Sequence, residues 1–164
     1  MKQKSSVFRT LPAALTLTLL LAACSGNDPA KLMQSAKDYM AQSDHAAAII
    51  QLKNALQAQP DLAEARFLLA KALLATGDVS GAQTELKKAQ DAGYAPEQLV
   101  PVMARVMLSQ GEHKKLTDTH AQTRLADPAA QAELQTLLAG AWLARGKADL
   151  AQASLADALK LQPN

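Results

Sequence analysis

An all-α chain built from helix pairs that recur every 34 or 35 residues is the architecture this 164-residue sequence predicts. Three observations carry that prediction. The composition is 49% hydrophobic but only 3% aromatic, with Ala, Leu and Gln recurring throughout; helices suit such residues better than strands, which favour β-branched and aromatic ones. Gly77, Gly111 and Gly146 each end an apolar helical stretch, and Ser43 holds the equivalent place one unit earlier, at spacings of 34, 34 and 35 residues. Capping residues fall at the boundaries that this period implies. The length is that of one modest domain with enough apolar content to bury a core.

The chain opens outside the repeat. Lys2, Lys4 and Arg9 precede an apolar stretch from Leu11 to Ala23. As a helix this stretch would span about 20 Å, at ~1.5 Å per residue, against a hydrocarbon core of ~30 Å. Residues 1–23 therefore read as a cleaved signal peptide and not as a membrane-spanning anchor. Leu21-Ala22-Ala23-Cys24 resembles the bacterial lipobox, which implies cleavage before Cys24 and acylation of that residue. Acyl chains contribute about 0.8 kcal/mol per buried CH₂, so three of them hold a domain on a bilayer durably. A chance cysteine after an ordinary signal, or a buried core thiol, is the competing account; neither explains why the chain's one Cys lies at that place. Ser25, and not Asp, follows Cys24, which by resemblance to lipoprotein sorting implies the outer membrane, with the domain facing the periplasm. Residues 24–28 then form the lipidated Cys and a short tether.

The net charge of +2 belongs to this leader: without Lys2, Lys4 and Arg9 the balance from Cys24 onward is −1. No nucleic-acid-binding polyelectrolyte is left. One Cys and three scattered His exclude a disulfide framework and give no support to a multi-ligand metal site.

The helices come in order along the period. Asp28 before Pro29 places an N-cap acid ahead of a first-turn proline and starts 29–42. Asp44 starts 45–59, which Pro60 closes because proline cannot continue a helix. Asp61 with Glu64, an Asp-led relative of the capping box, starts 62–75. Gly77 supplies a left-handed turn, and Asp78 starts 79–91. The Gly93-Tyr94-Ala95-Pro96 junction leads into 96–109. The second helix of the third unit, 113–126, opens on the polar run Glu112-His113-Lys114-Lys115 and is expected to be the least protected against exchange. Asp127-Pro128 closes that unit and caps 130–144, and 148–161 runs up to Pro163. Fixed places recur in these units: Ala36, Ala70, Ala104 and Ala139; Tyr39, Leu73, Met107 and Trp142; Ala48, Ala82, Leu116 and Ala151; Leu52, Leu86, His120 and Leu155; Ala55, Ala89, Thr123 and Ala158. Small residues at two of these places let paired helices approach, and a large one beside them fills the gap.

That pattern resembles the tetratricopeptide repeat across residues 29–163. The resemblance implies a right-handed α-solenoid of about four helix-turn-helix repeats, at about 29–62, 63–96, 97–131 and 132–164. It also implies a concave and a convex face and a stability that sums over neighbours.

The residues that could carry chemistry favour structural roles. His113 and His120 lie seven apart, whereas helical metal pairs sit three or four apart, so packing or a solvated surface accounts better for them and for His45. No nucleophile motif or phosphate-cradling loop is present, so no catalytic residue, metal or cofactor is expected. Trp142 fills a core-packing place, and the Lys87-Lys88 and Lys114-Lys115 pairs read as solvated faces. The family resemblance points into the concave groove at Lys37, Lys71, Arg105 and Gly140, flanked by apolar Met33, Met40, Phe67, Leu74 and Leu108. Three cations spaced by neighbouring helices, about 8–10 Å apart, would favour an extended ligand carrying carboxylates. The competing account pairs Lys37 with Glu64 and Arg105 with Glu133 as ordinary inter-repeat contacts. The Asn found at this place in peptide-carboxylate-binding members is absent from all four units.

Asp28-Pro29-Ala30-Lys31-Leu32, Ala47-Ala48-Ile49-Ile50-Gln51-Leu52-Lys53-Asn54-Ala55-Leu56, Ala63-Glu64-Ala65-Arg66-Phe67-Leu68-Leu69 and Gly93-Tyr94-Ala95-Pro96 narrow the resemblance. Together they look like the start of the PrsT-type lipoproteins, longer tetratricopeptide proteins associated with exosortase/PEP-CTERM sorting and exopolysaccharide systems. That resemblance implies a non-enzymatic, lipid-anchored envelope scaffold assisting exopolysaccharide or surface-protein export, with envelope proteins or an acidic extended ligand as partners. The alternative is a small lipoprotein of another envelope machine, a pilus secretin pilotin or a β-barrel assembly component. Leu150, Leu155, Leu159 and Leu161 exceed one inward stripe, so either further repeats continue the array in a longer relative or the chain associates with itself at that end.

Overall fold

A computed structural model of the chain describes residues 28–161; the expected signal peptide, the Cys24 anchor site and Pro163 lie outside them. The described residues form eight helices and no strand: α1 Pro29–Ala41, α2 His45–Ala58, α3 Ala63–Ala75, α4 Val79–Asp91, α5 Pro96–Ser109, α6 His113–His120, α7 Pro128–Ala144 and α8 Ala148–Leu161.

Each odd-numbered helix turns back into the even-numbered one through a residue at positive φ. Gly77, Gly111 and Gly146 adopt φ of 87°, 72° and 69°, and Ser43 reaches 61° in the same place. A side chain adopts that conformation only at a cost, so the Ser43 turn is the strained member of the set. Four acids cap as expected. Asp28 accepts from the Ala30 N–H at 3.0 Å, Asp44 from Ala47 at 3.0 Å, Asp78 from Gly81 at 2.8 Å and Asp127 from Ala129 at 2.9 Å.

Most of the buried residues fall into three clusters, each spanning a helix pair and the first helix of the next. Leu32, Ala36, Leu52, Ala55, Ala65 and Leu69 tie α1, α2 and α3 together. Phe67, Ala82, Leu86, Leu99 and Val106 do so for α3, α4 and α5. Met107, Leu116, Leu134 and Leu138 do so for α5, α6 and α7. The alanines at the fixed small places, such as Ala36, Ala70 and Ala104, are fully buried, as close approach of helix axes requires.

Three boundaries differ from the sequence expectation. The cap of α3 is Leu62, without a side-chain hydrogen bond, and not Asp61; the turn after Pro60 leaves Asp61 one residue too early, and Glu64 serves only as a first-turn acid. α6 stops at His120, not 126. Its Thr117, Asp118 and Thr119 are weak helix formers, and the backbone beyond it finds other partners. The Leu125 N–H donates to Gln131 Oε1 at 2.7 Å, and the Ala126 and Asp127 N–H groups donate to the Glu97 carboxylate at 3.0 and 3.2 Å. Pro128 accordingly opens α7 two residues before the expected start, and does not close α6.

Candidate functional site

The first helices α3, α5 and α7 line a concave groove whose deepest part encloses about 800 Å³. Phe67 and Lys71 of α3, Pro101, Val102 and Arg105 of α5 and Glu133 and Thr136 of α7 form its floor and sides, and Leu155 and Leu159 of α8 form its far wall. Lys71 and Arg105 come there because the 34-residue period puts them at one angle on successive first helices.

Their electrostatic settings differ. Lys37 pairs with Glu64 at 2.8 Å, and Arg105 pairs with Glu133 at 2.5 Å. Both are the inter-repeat contacts that compete with the ligand reading. For Lys71 the equivalent place on the next first helix holds Gln98, and among the described residues Lys71 makes no ion pair. Its ammonium lies 5.7 Å from the centre of the Phe67 ring, a cation–π contact that positions the charge without neutralising it. Of the expected row of three cations, Lys71 is thus the one without an ion pair among the described residues, in a groove that Glu97, Asp127 and Glu133 also line.

An aromatic layer supports it. Phe67 stacks on Tyr94 at 4.4 Å with 21° between the planes, and the Tyr94 hydroxyl donates to Gln98 Oε1 at 2.5 Å. Burial, and after it the Glu64 charge, pushes the Tyr94 hydroxyl above its ordinary range, so it stays protonated as a donor. The sequence reading placed Phe67 beside the groove, whereas Tyr94 entered it only as part of the Gly93-Tyr94-Ala95-Pro96 junction between α4 and α5, with no role in the groove.

The other groove residues separate. Met33 and Lys37 line a smaller hollow of about 330 Å³ with Pro29, Gln59 and Glu64. Met33 is 8% and Phe67 4% exposed, so both serve as floor and core together. Leu74 and Leu108 are half-buried and pack on the clusters beside them; a Cβ at Gly140 would stand 3.7 Å from a Leu108 methyl. They hold neighbouring first helices together and leave the groove to others. Trp142 is half-buried against the third cluster, with the Arg145 guanidinium 5.1 Å from its ring centre.

Behind the groove an unforeseen charged cluster ties three elements. Arg66 donates to Glu85 at 2.7 Å and to the Pro60 carbonyl at 2.9 Å, and Lys88 donates to Glu85 at 2.7 Å. Burial alone would raise the Glu85 carboxyl, but the hydrogen bonds from Lys88 and Arg66 outweigh it and hold the group below its usual range. His45 and His113 start α2 and α6, each half-buried with an unpartnered Nδ1. Among the described residues no three His, Cys, Asp or Glu side chains converge as metal ligands.

Residues 39–106 match the tetratricopeptide repeat family. Among solved structures, the crystal structure of MamA is similar at a TM-score of 0.76 and 22% identity, over 85% of this chain and 81% of that one. The thermophilic tetratricopeptide-repeat protein TTC0263 of Thermus thermophilus is similar at 0.66 and 23%, over 85% and 77%. YrrB, a tetratricopeptide-repeat protein with an unusual peptide-binding site, is similar at 0.51 and 13%, over 85% and 89%. No curated protein sequence matches the chain. These likenesses show the fold: a right-handed α-solenoid of tetratricopeptide helix pairs.

Proposed function

We propose that this tetratricopeptide-repeat chain is a non-enzymatic scaffold of the bacterial cell envelope, held to the outer membrane through acylated Cys24, that grips an extended acidic segment of an envelope partner in its concave groove. The observation that carries the groove reading is Lys71, a cation exposed at the centre of the arc with Gln98 where its neighbours have an acid. An anionic group docking there meets a charge already oriented by Phe67, and it displaces no existing pair. The paired Lys37 and Arg105 contribute less, since a ligand must compete with Glu64 and Glu133. The lipobox-like Leu21-Ala22-Ala23-Cys24 supports the anchor, and the amino-terminal strings resembling PrsT-type lipoproteins support a place in exopolysaccharide or PEP-CTERM protein export.

Charge reversal tests the groove. Lys71→Glu is expected to leave melting unchanged and to lower capture of envelope partners at least ten-fold, more than Lys37→Glu or Arg105→Glu alone. If capture survives Lys37→Glu, Lys71→Glu and Arg105→Glu together, the groove is not the site and the convex side carries the function. Cys24→Ser tests the anchor: it should abolish labelling by a palmitate analogue, and undiminished labelling refutes acylation there.

A further inference from the structure

The far side of α5 differs from its groove side. At about 100° per residue, Met103, Val106 and Met107 point roughly 150° round the helix from Pro101, Val102 and Arg105. There, between α4, α5 and α6, lies a hollow of about 570 Å³. Its floor is apolar: Leu86, Val106 and Met107 are 1%, 2% and 7% exposed, and Met103 is half-buried. Two replacements open it. Gln83 and Met103 take the places of Ile49 and Leu69 one unit earlier, where Ile49 packs on the first cluster and Leu69 is 3% exposed. Gln83 is exposed instead, its Oε1 accepting from Gln110 Nε2 at 3.2 Å.

Three lysines line the hollow, Lys87 and Lys88 from α4 and Lys115 from α6, and among the described residues no acid does. Each lysine has an acid three or four positions away: Lys87 pairs with Asp91, Lys88 with Glu85 at 2.7 Å and Lys115 with Glu112 at 2.8 Å. All three lysines are exposed, and exposed pairs of this kind are weak. A flexible four-carbon stem lets each ammonium swing over the hollow. Lys88 leaves its acid most easily, because Glu85 keeps Arg66 at 2.7 Å.

We propose that this hollow binds a long-chain fatty acid, its alkyl chain on the methionine floor and its carboxylate between Lys88 and Lys115. The volume lies within the range of small-molecule sites, about 300–1,000 Å³, and the lining selects the class. Besides the lysines only Gln83 and Thr84 bring polar side chains to it; Gln83 is engaged by Gln110 and Thr84 donates to the Ser80 carbonyl at 3.1 Å. An extended peptide would bury N–H and C=O groups there without partners, which is costly. A docked helix satisfies its own backbone but, at ~10 Å across, fills about 570 Å³ with little more than one turn. An alkyl chain carries no polar atom below its head, and unbranched Met side chains adapt to its shape. The site lies away from Lys71 and is independent of what the concave groove binds.

Photo-crosslinking of the full chain with dodecanoate carrying a mid-chain diazirine tests this. Covalent labelling is expected at Met103 or Met107. Dodecanoate should compete for it at least ten-fold better than dodecanol, which has the same chain and no charge. Lys88→Gln with Lys115→Gln should lower labelling at least ten-fold, while Lys53→Gln, at an exposed lysine of α2, leaves it unchanged. Gln83→Ile, which restores the residue of α2, is expected to close the hollow and lower labelling likewise at unchanged helix content. Labelling at Phe67 or Val102 of the groove, equal competition by dodecanol, labelling that survives the double lysine change, displacement only by an acidic peptide, or no labelling at all overturns the proposal.

Discussion

His120 shows how one residue sets a local pH response. It stands where Leu52 and Leu86 pack between units, 8% exposed, with Nε2 buried and unpartnered and Nδ1 3.3 Å from Thr123 Oγ1. Burial lowers its pKa below the ordinary histidine value, because the imidazolium would lose its hydration there. The unfolded chain therefore binds a proton more readily than the folded one. The resulting stability is full above about pH 6.5 and is lost as pH falls through the lower folded value. The melting temperature is expected to drop as the pH falls below about 6.5, and His120→Leu, which restores the residue of its siblings, should flatten that part of the profile. Glu85 acts in a lower window, since its depressed folded pKa keeps its contribution until the pH falls below the ordinary carboxylate range.

At the scale of elements, α6 is the weak member. It has 8 residues where the other helices have 13 to 17, and an isolated helix so short is marginal. Only Leu116, Thr117 and His120 are buried. Side chains from other helices hold the segment between α6 and α7: Glu97 reaches across from α5 to two backbone N–H groups, and Gln131 holds a third. Native-state hydrogen exchange should open α6 before α2, whose Leu52 and Ala55 are fully buried; slower exchange in α6 than in α2 would contradict this.

The whole molecule is a row of interfaces and not a single centre. Each cluster joins three consecutive helices, so stability is carried by neighbours and falls locally when one interface is damaged. Leu52→Ala removes a fully buried side chain and is expected to cost about 2–5 kcal/mol. The loss should appear as faster exchange in α1, α2 and α3, with α7 and α8 retaining most of their protection; uniform acceleration along the chain would show a single cooperative unit instead.

Local chemistry and period were enough, from the residues alone, to settle the helix pairs, their glycine turns and four of their acid caps, because each depends on residues a few positions apart. The period also placed Phe67, Lys71 and Arg105 on one face. Which cations stayed unpaired depended on Glu64, Gln98 and Glu133 coming across from the next unit. The early end of α6 depended on Glu97 and Gln131 offering its backbone better partners than a further turn of helix. The leucine pattern of 148–161 showed an excess of apolar side chains, and only the stacked structure separated Leu155 and Leu159, exposed on the wall of the groove, from Ala151 and Ala158, which are buried. Contacts between units join residues about 30 positions apart, and their outcome is a competition that packing resolves and linear order does not.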